Sequence, residues 1–270
     1  SWGITFAGLS ILFFILAFYH HKEMPEPADD KPFPDVTVKS LAKDFIETFI
    51  TFFRKKGIIP ALLFMLLYRL PEALCIKLVQ PFMVAPKIDG GLGLSTSQVG
   101  FINGTIGVIA LLLGGIVGGL AISRGGLKKW LWPMAFSLTL PCIFYCFLAM
   151  WRPDSMFLIS SAVFVEQFGY GFGFSAYMLY LIFFSRGESQ TSHYAFCTAF
   201  MAMGMMIPGM FAGFLHDWVS AVDLFNISGP QGFINFFWLV FASSLITLAV
   251  CSIIKINPEF GKKTMQPENI

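Results

Sequence analysis

The chain has 270 residues, of which 56% are hydrophobic and 13% charged, with 32 phenylalanines and a formal net charge of +2 at pH 7. A soluble domain of this size carries about 25% charged residues, so this composition excludes a soluble globular protein and points to a membrane protein. The basic residues are divided among short loops, and no nucleic-acid partner is expected.

Seven segments are apolar enough over the length of about 20 residues that a helix needs to cross a bilayer. They run over 2–19, 58–82, 97–122, 130–150, 156–184, 194–216 and 232–254, and none alternates as a β-barrel strand would. The sequence begins inside the first of them without a methionine, which reads as a fragment lacking an N-terminal part. Residues 20–57 form a connection. His20 to Pro34 is rich in Pro, Asp and Lys, as a linker is. Then Val38, Leu41, Phe45, Phe49, Phe52 and Phe53 recur at helical spacing between charged residues, predicting an amphipathic helix on the inner membrane surface. Arg54-Lys55-Lys56 and Gly57 break it from the next span.

The 58–82 span carries Arg69 and Glu72 in its apolar middle, Pro71 between them and Gln80 towards the outer end. A charge at that depth costs a few kcal/mol or more unless it meets a partner or a wet cavity, so such residues mark a transport path. Pro71 predicts a local break whose freed carbonyls line a cavity. Lys77 lies close enough to the outer end to snorkel. In the next span Gly100, Gly104, Gly107, Gly114 and Gly118 fall on one line at about 100° per residue, predicting a close helix contact, with Asn103 beside them. Cys142 and Cys146 share a face of the 130–150 span and read as buried thiols, and no metal site is expected.

Glu166 lies in the 156–184 span, about 15 Å from its outer end by helical rise and at the same depth as Glu72. Tyr170, Gly173, Tyr177 and Tyr180 continue its face. Aromatic faces with hydroxyls beside a carboxylate suit a sugar or a peptide, whereas tyrosines at the ends of a span also serve as interfacial anchors. The methionines around Gly204, Pro208 and Gly209 read as filling near a kink. The segments 20–56, 123–129, 185–192 and the tail hold nearly all Lys and Arg outside the spans, against only Lys87 and Arg152 on the opposite side. The basic segments, the tail included, are therefore expected to be cytoplasmic.

One span, a cytoplasmic connection and six more spans match the plan of the major facilitator superfamily. The stretch Gly119-Leu-Ala-Ile-Ser123-Arg124-Gly125-Gly126-Leu-Lys128-Lys129 resembles that superfamily's loop signature, with Ser123 where an Asp is usual. More narrowly, Tyr68-Arg69-Leu-Pro-Glu72-Ala73, Thr96 to Gly107, Glu166-Gln167 with Gly171 to Ala176, and Ser189 to Phe196 resemble the AmpG-type muropeptide permeases. Gln167 stands where the family commonly has Asn. The resemblance implies an all-α integral membrane protein: residues 1–19 as the sixth helix of a twelve-helix parent, 20–57 as cytoplasmic linker, 58–254 as the C-terminal six-helix bundle and 255–270 as tail. It implies a proton-driven importer of anhydromuropeptides in the bacterial inner membrane, or a related carrier of acetyl-CoA, peptides, a drug or another polar metabolite. No enzymatic activity and no cofactor beyond the coupling proton are expected. The expected partners are the lipid bilayer, the missing N-terminal half and an amphiphilic sugar-peptide. The expected substrate-binding residues are Arg69, Glu72, Gln80, Asn103, Gln167, Tyr170 and Tyr177. Glu166 and Glu72 are the candidates for proton coupling, and Gly119, Arg124, Gly126, Lys128 and Lys129 form the loop motif.

Overall fold

The computed structural model describes residues 2–24, 37–187, 189–222 and 230–262; part of the 20–57 connection and the end of the tail lie outside them. The described residues form helices joined by turns and loops, with no strand among them, and seven helical stretches are long and apolar enough to cross a membrane. Helix α1 (Trp2–Glu23) lies in a unit spanning residues 1–46, and no residue of it is buried. The second unit, from Glu47 onward, contains the remaining six spans.

Helix α2 (Val38–Phe53) is amphipathic, as its apolar spacing predicts, and crosses from the first unit into the second. At its C-terminal end Phe52 is fully buried, stacked on Phe200 and edge-on to Phe184 and Phe196. Gly57 then adopts φ 81°, a left-handed backbone that favours glycine and ends the helix run before the next span. Lys55 closes the same corner by donating to the carbonyls of Phe184 and Arg186, each at 2.8 Å, and burial lowers its ammonium pKa.

The 58–84 span is two helices, α3 (Ile58–Leu67) and α4 (Leu70–Val84), interrupted at Tyr68 and Arg69. Pro71 explains the break, since it has no N–H to donate and favours the first turn of a new helix. Thr247 Oγ1 donates to the Tyr68 carbonyl at 3.0 Å, satisfying a group that the break releases.

The next span departs from a single straight helix. It comprises α5 (Thr96–Phe101), a π turn (Ile102–Gly107) and α6 (Val108–Gly125). A π turn takes in one extra residue and rotates the helix beyond it by about 100° relative to an uninterrupted one. The five aligned glycines are therefore divided. A Cβ on Gly114 would collide with the Phe168 carbonyl, and one on Gly118 would lie 2.9 Å from Ser175 Cβ, whereas Gly100 and Gly104 face open space.

The fourth span is likewise broken, into α7 (Leu127–Thr139), a 3-10 turn at Leu140–Cys142 containing Pro141, and α8 (Ile143–Trp151). Helices α9 (Met156–Ser185), α10 (Gln190–Ser220) and α11 (Gly232–Ile253) complete the unit. Helix α9 is its centre. Gly171 brings it against the α6 backbone, and Gly169 and Gly173 bring it against the α7 backbone. Close backbone approach on two faces fixes the depth and rotation of every side chain that α9 carries.

Two connections tie the ends. Lys87 pairs with Asp154 and donates to the Arg152 carbonyl, while Arg152 Nη1 donates back to the Lys87 carbonyl at 3.1 Å. At the other end Gly126 (φ 78°) makes the α6–α7 turn, and the Leu127 amide donates to the Phe260 carbonyl at 2.9 Å. The Phe260 ring packs on Phe183 and under the Arg186 guanidinium at 4.4 Å. Among the described residues Ser123 Oγ bonds within its own helix, to the Leu120 carbonyl at 2.8 Å. The turn that bears the loop signature is thus held by the segment after α11.

Candidate functional site

The buried apolar side chains form two clusters, one around Phe82, Tyr145, Val163 and Phe237 and the other around Phe64, Tyr68, Tyr177 and Leu131. Arg69, Glu72 and Glu166 belong to neither cluster and are all buried, between 7% and 8% exposed. They line one cavity of about 320 Å³ together with Gln80, Asn103, Tyr145, Gln167, Tyr170, Cys75 and Met205. That volume falls within the range of about 300–1,000 Å³ common to small-molecule sites.

Arg69 sits at the helix break, as the residue preceding α4, and Glu72 lies in the first turn of α4. The short i,i+3 spacing lets the guanidinium turn back on the carboxylate with two bonds, Nε to Oε2 at 2.9 Å and Nη2 to Oε1 at 3.1 Å. Nη2 also donates to the Tyr170 hydroxyl at 2.6 Å. The guanidinium carbon lies 5.3 Å from the Tyr170 ring centre and 4.7 Å from that of Phe174, within cation–π range. Nη1 has no partner among the described residues, which leaves one donor nitrogen for a ligand.

Glu166 is held differently. Its Oε2 accepts from the Tyr145 hydroxyl at 3.2 Å and from Gln167 Nε2 at 2.8 Å. No cation reaches it among the described residues. A guanidinium neutralises one mid-span carboxylate, and neutral donors alone hold the other.

Six of the seven substrate-binding candidates, Arg69, Glu72, Gln80, Asn103, Gln167 and Tyr170, therefore line one cavity with Glu166. Tyr177 does not. It is fully buried, stacks on Tyr68 at 5.3 Å and donates its hydroxyl to the Met65 carbonyl. Although Tyr177 shares the face of Tyr170, two turns further along α9 that face meets α3 and no open volume. Tyr180 is also buried, 4.5 Å from Phe64, so it packs inside the bundle instead of anchoring at an interface. The loop-motif residues Gly119, Arg124, Gly126, Lys128 and Lys129 lie at the α6–α7 turn and do not line the cavity. Tyr145 escaped the reading of the sequence. Its signal was that it is the only tyrosine of its span, placed among phenylalanines.

The helix break thus gathers buried charges, an aromatic ring and amide groups around one mid-span cavity. An anhydromuropeptide permease of Escherichia coli (strain K12) is 26% identical over 250 residues, covering 90% of this chain and 46% of that protein. The chain is similar to the AmpG-type permeases. A Rickettsia conorii protein carrying the name AmpG 4 is 22% identical over 236 residues, 87% of this chain and 53% of its own length. A Rickettsia felis protein carrying the name AmpG 1 is 25% identical over 158 residues. No family model matches the chain. This AmpG-like chain spans about half the length of the curated relatives it matches. The seven candidate spans make it a multi-pass membrane protein.

Proposed function

We propose that the chain is the C-terminal six-helix bundle, with the helix that precedes it, of a proton-coupled importer that brings anhydromuropeptides across the bacterial inner membrane into the cytoplasm. The observation that carries this reading is the mid-span cavity where a guanidinium, a tyrosine and a carboxylate converge. Arg69 attracts a muramyl or peptide carboxylate through Nη1, and the Tyr170 ring offers a face to a sugar. Glu166 or Glu72 carries the proton, since a carboxylate removed from water gains or loses its charge with the state of the cavity. The opposing wall comes from a second bundle in the missing N-terminal half, because alternating access needs one bundle to rock against another. Half-coverage of the E. coli permease agrees with that assignment. The positive-inside rule orients the basic connections and the C-terminus to the cytoplasm. No cofactor beyond the proton is required.

A carrier of acetyl-CoA, peptides, a drug or another metabolite is the competing reading. A nucleotide substrate calls for several cations, whereas the cavity lining contains a single arginine, already paired to Glu72. Uptake of labelled anhydromuropeptide by the full-length transporter in proteoliposomes tests the choice. The expected result is saturable uptake driven by an inward proton gradient and competed by unlabelled anhydromuropeptide. No saturable uptake of labelled anhydromuropeptide, with labelled acetyl-CoA taken up instead, would overturn the substrate assignment.

A further inference from the structure

The two mid-span carboxylates differ in what surrounds them. Both oxygens of Glu72 accept from Arg69, a side chain that stays charged at every accessible pH. Proton uptake there would have to break a bidentate pair and leave the guanidinium without its counter-charge, an expensive step for a buried pair. Only Oε2 of Glu166 is engaged, by donors from two places, Tyr145 on α8 and its own neighbour Gln167. Two donors converging on one oxygen fix the plane of the carboxyl group. Oε1 is left without a partner among the described residues, on a side chain that lines the cavity.

We infer that Tyr145 and Gln167 are positioning residues that hold Glu166 by Oε2 and present Oε1 to the cavity, making Glu166 and not Glu72 the site of proton uptake and release. This rests on the proton-coupled reading above. The step is balanced. A proton from cavity water forms an O–H bond at Oε1 and neutralises the carboxylate, and the same bond breaks to return the proton to water on the other side. The groups that face Glu166 are consistent with this assignment. Helix α4 brings Glu72 and Cys75, the break brings Arg69, α8 brings Tyr145 and α9 brings Tyr170; Cys142, in the turn before α8, lies behind them against Cys75 and Tyr145. The π turn and α6 contribute Asn103 and Leu111, and α10 contributes Met205, none of which titrates. The single cation in the set is already bound to Glu72.

The test is the pH dependence of anhydromuropeptide uptake by the full-length transporter, with Tyr145→Phe and Gln167→Leu as separate variants. Each removes one donor that favours the charged carboxylate, so less acid is needed to load the proton. The midpoint of gradient-driven uptake is expected to move to higher pH by up to about one unit, a tenfold change in proton occupancy. Substrate exchange, which moves no net proton, is measured beside it, so that any loss of substrate binding in Gln167→Leu is read separately from the midpoint. A packing role for Tyr145 alone would lower the amount of active transporter and leave the midpoint in place. Unchanged midpoints in both variants, with uptake intact, would overturn the inference. If Tyr145→Phe fails to fold, Gln167→Leu decides alone. Absence of any anhydromuropeptide uptake by the wild-type transporter would instead refute the proposed function.

Discussion

Replacing Arg69 with Gln removes two charge-assisted bonds to Glu72, one to the Tyr170 hydroxyl and two cation–π contacts. The side chains of the pair are 10% and 9% exposed, so little water is present to take over. Breaking a buried pair by removing one partner costs about 3–5 kcal/mol, most of it the penalty for the charge left behind. Glu72 would be that charge. Arg69→Gln is therefore expected to lose about 3–5 kcal/mol at neutral pH, with part of the loss recovered on acidification as Glu72 takes up a proton. The double variant Arg69→Gln, Glu72→Gln leaves no uncompensated charge and is expected to regain most of the stability while failing to bind substrate. Denaturant titration of the full-length transporter in detergent, paired with substrate binding, measures both quantities. Wild-type stability in the single variant, or a double variant no more stable than the single, would refute the assignment of Arg69–Glu72 as a buried, mutually dependent pair.

Three further outcomes come from the packing and the site. Gly114→Ala is expected to destabilise by about 1–3 kcal/mol, the range for overpacking a tight contact, because its Cβ would meet the Phe168 carbonyl. Gly115→Ala, with nothing near its Cβ, is expected to be neutral, and thermal unfolding of the two variants checks the contrast. Tyr177→Phe removes a buried bond to the Met65 carbonyl and is expected to lower stability by about 1 kcal/mol with substrate affinity unchanged. Tyr170→Phe is expected to weaken substrate binding, because it takes away the hydroxyl that holds Arg69; binding isotherms of both variants separate the two tyrosines.

The charged residues of the site were legible in the sequence because charge in an apolar stretch has few explanations. Arg69, Glu72 and Glu166 stood out by composition alone, and helical rise put the two glutamates at one depth. Pro71 announced the break between α3 and α4 for an equally local reason. The division of the glycines was not legible, since no side chain in Ile102–Gly107 demands a π turn. Tyr177 lies outside the cavity for a related reason. Helical phase tells which residues share a face, and only the packed neighbour, here α3, decides whether that face meets a cavity or a core. Tyr145 depends on a contact across two helices that spacing cannot reveal.

Glu166→Gln in the full-length transporter keeps the size of the side chain at mid-span and removes its ability to ionise. Uptake of labelled anhydromuropeptide into proteoliposomes, with and without an inward proton gradient, tests proton coupling through this residue most directly. The expected result is loss of gradient-driven accumulation with substrate exchange retained. Accumulation at the wild-type rate would contradict the assignment of Glu166 as the proton carrier.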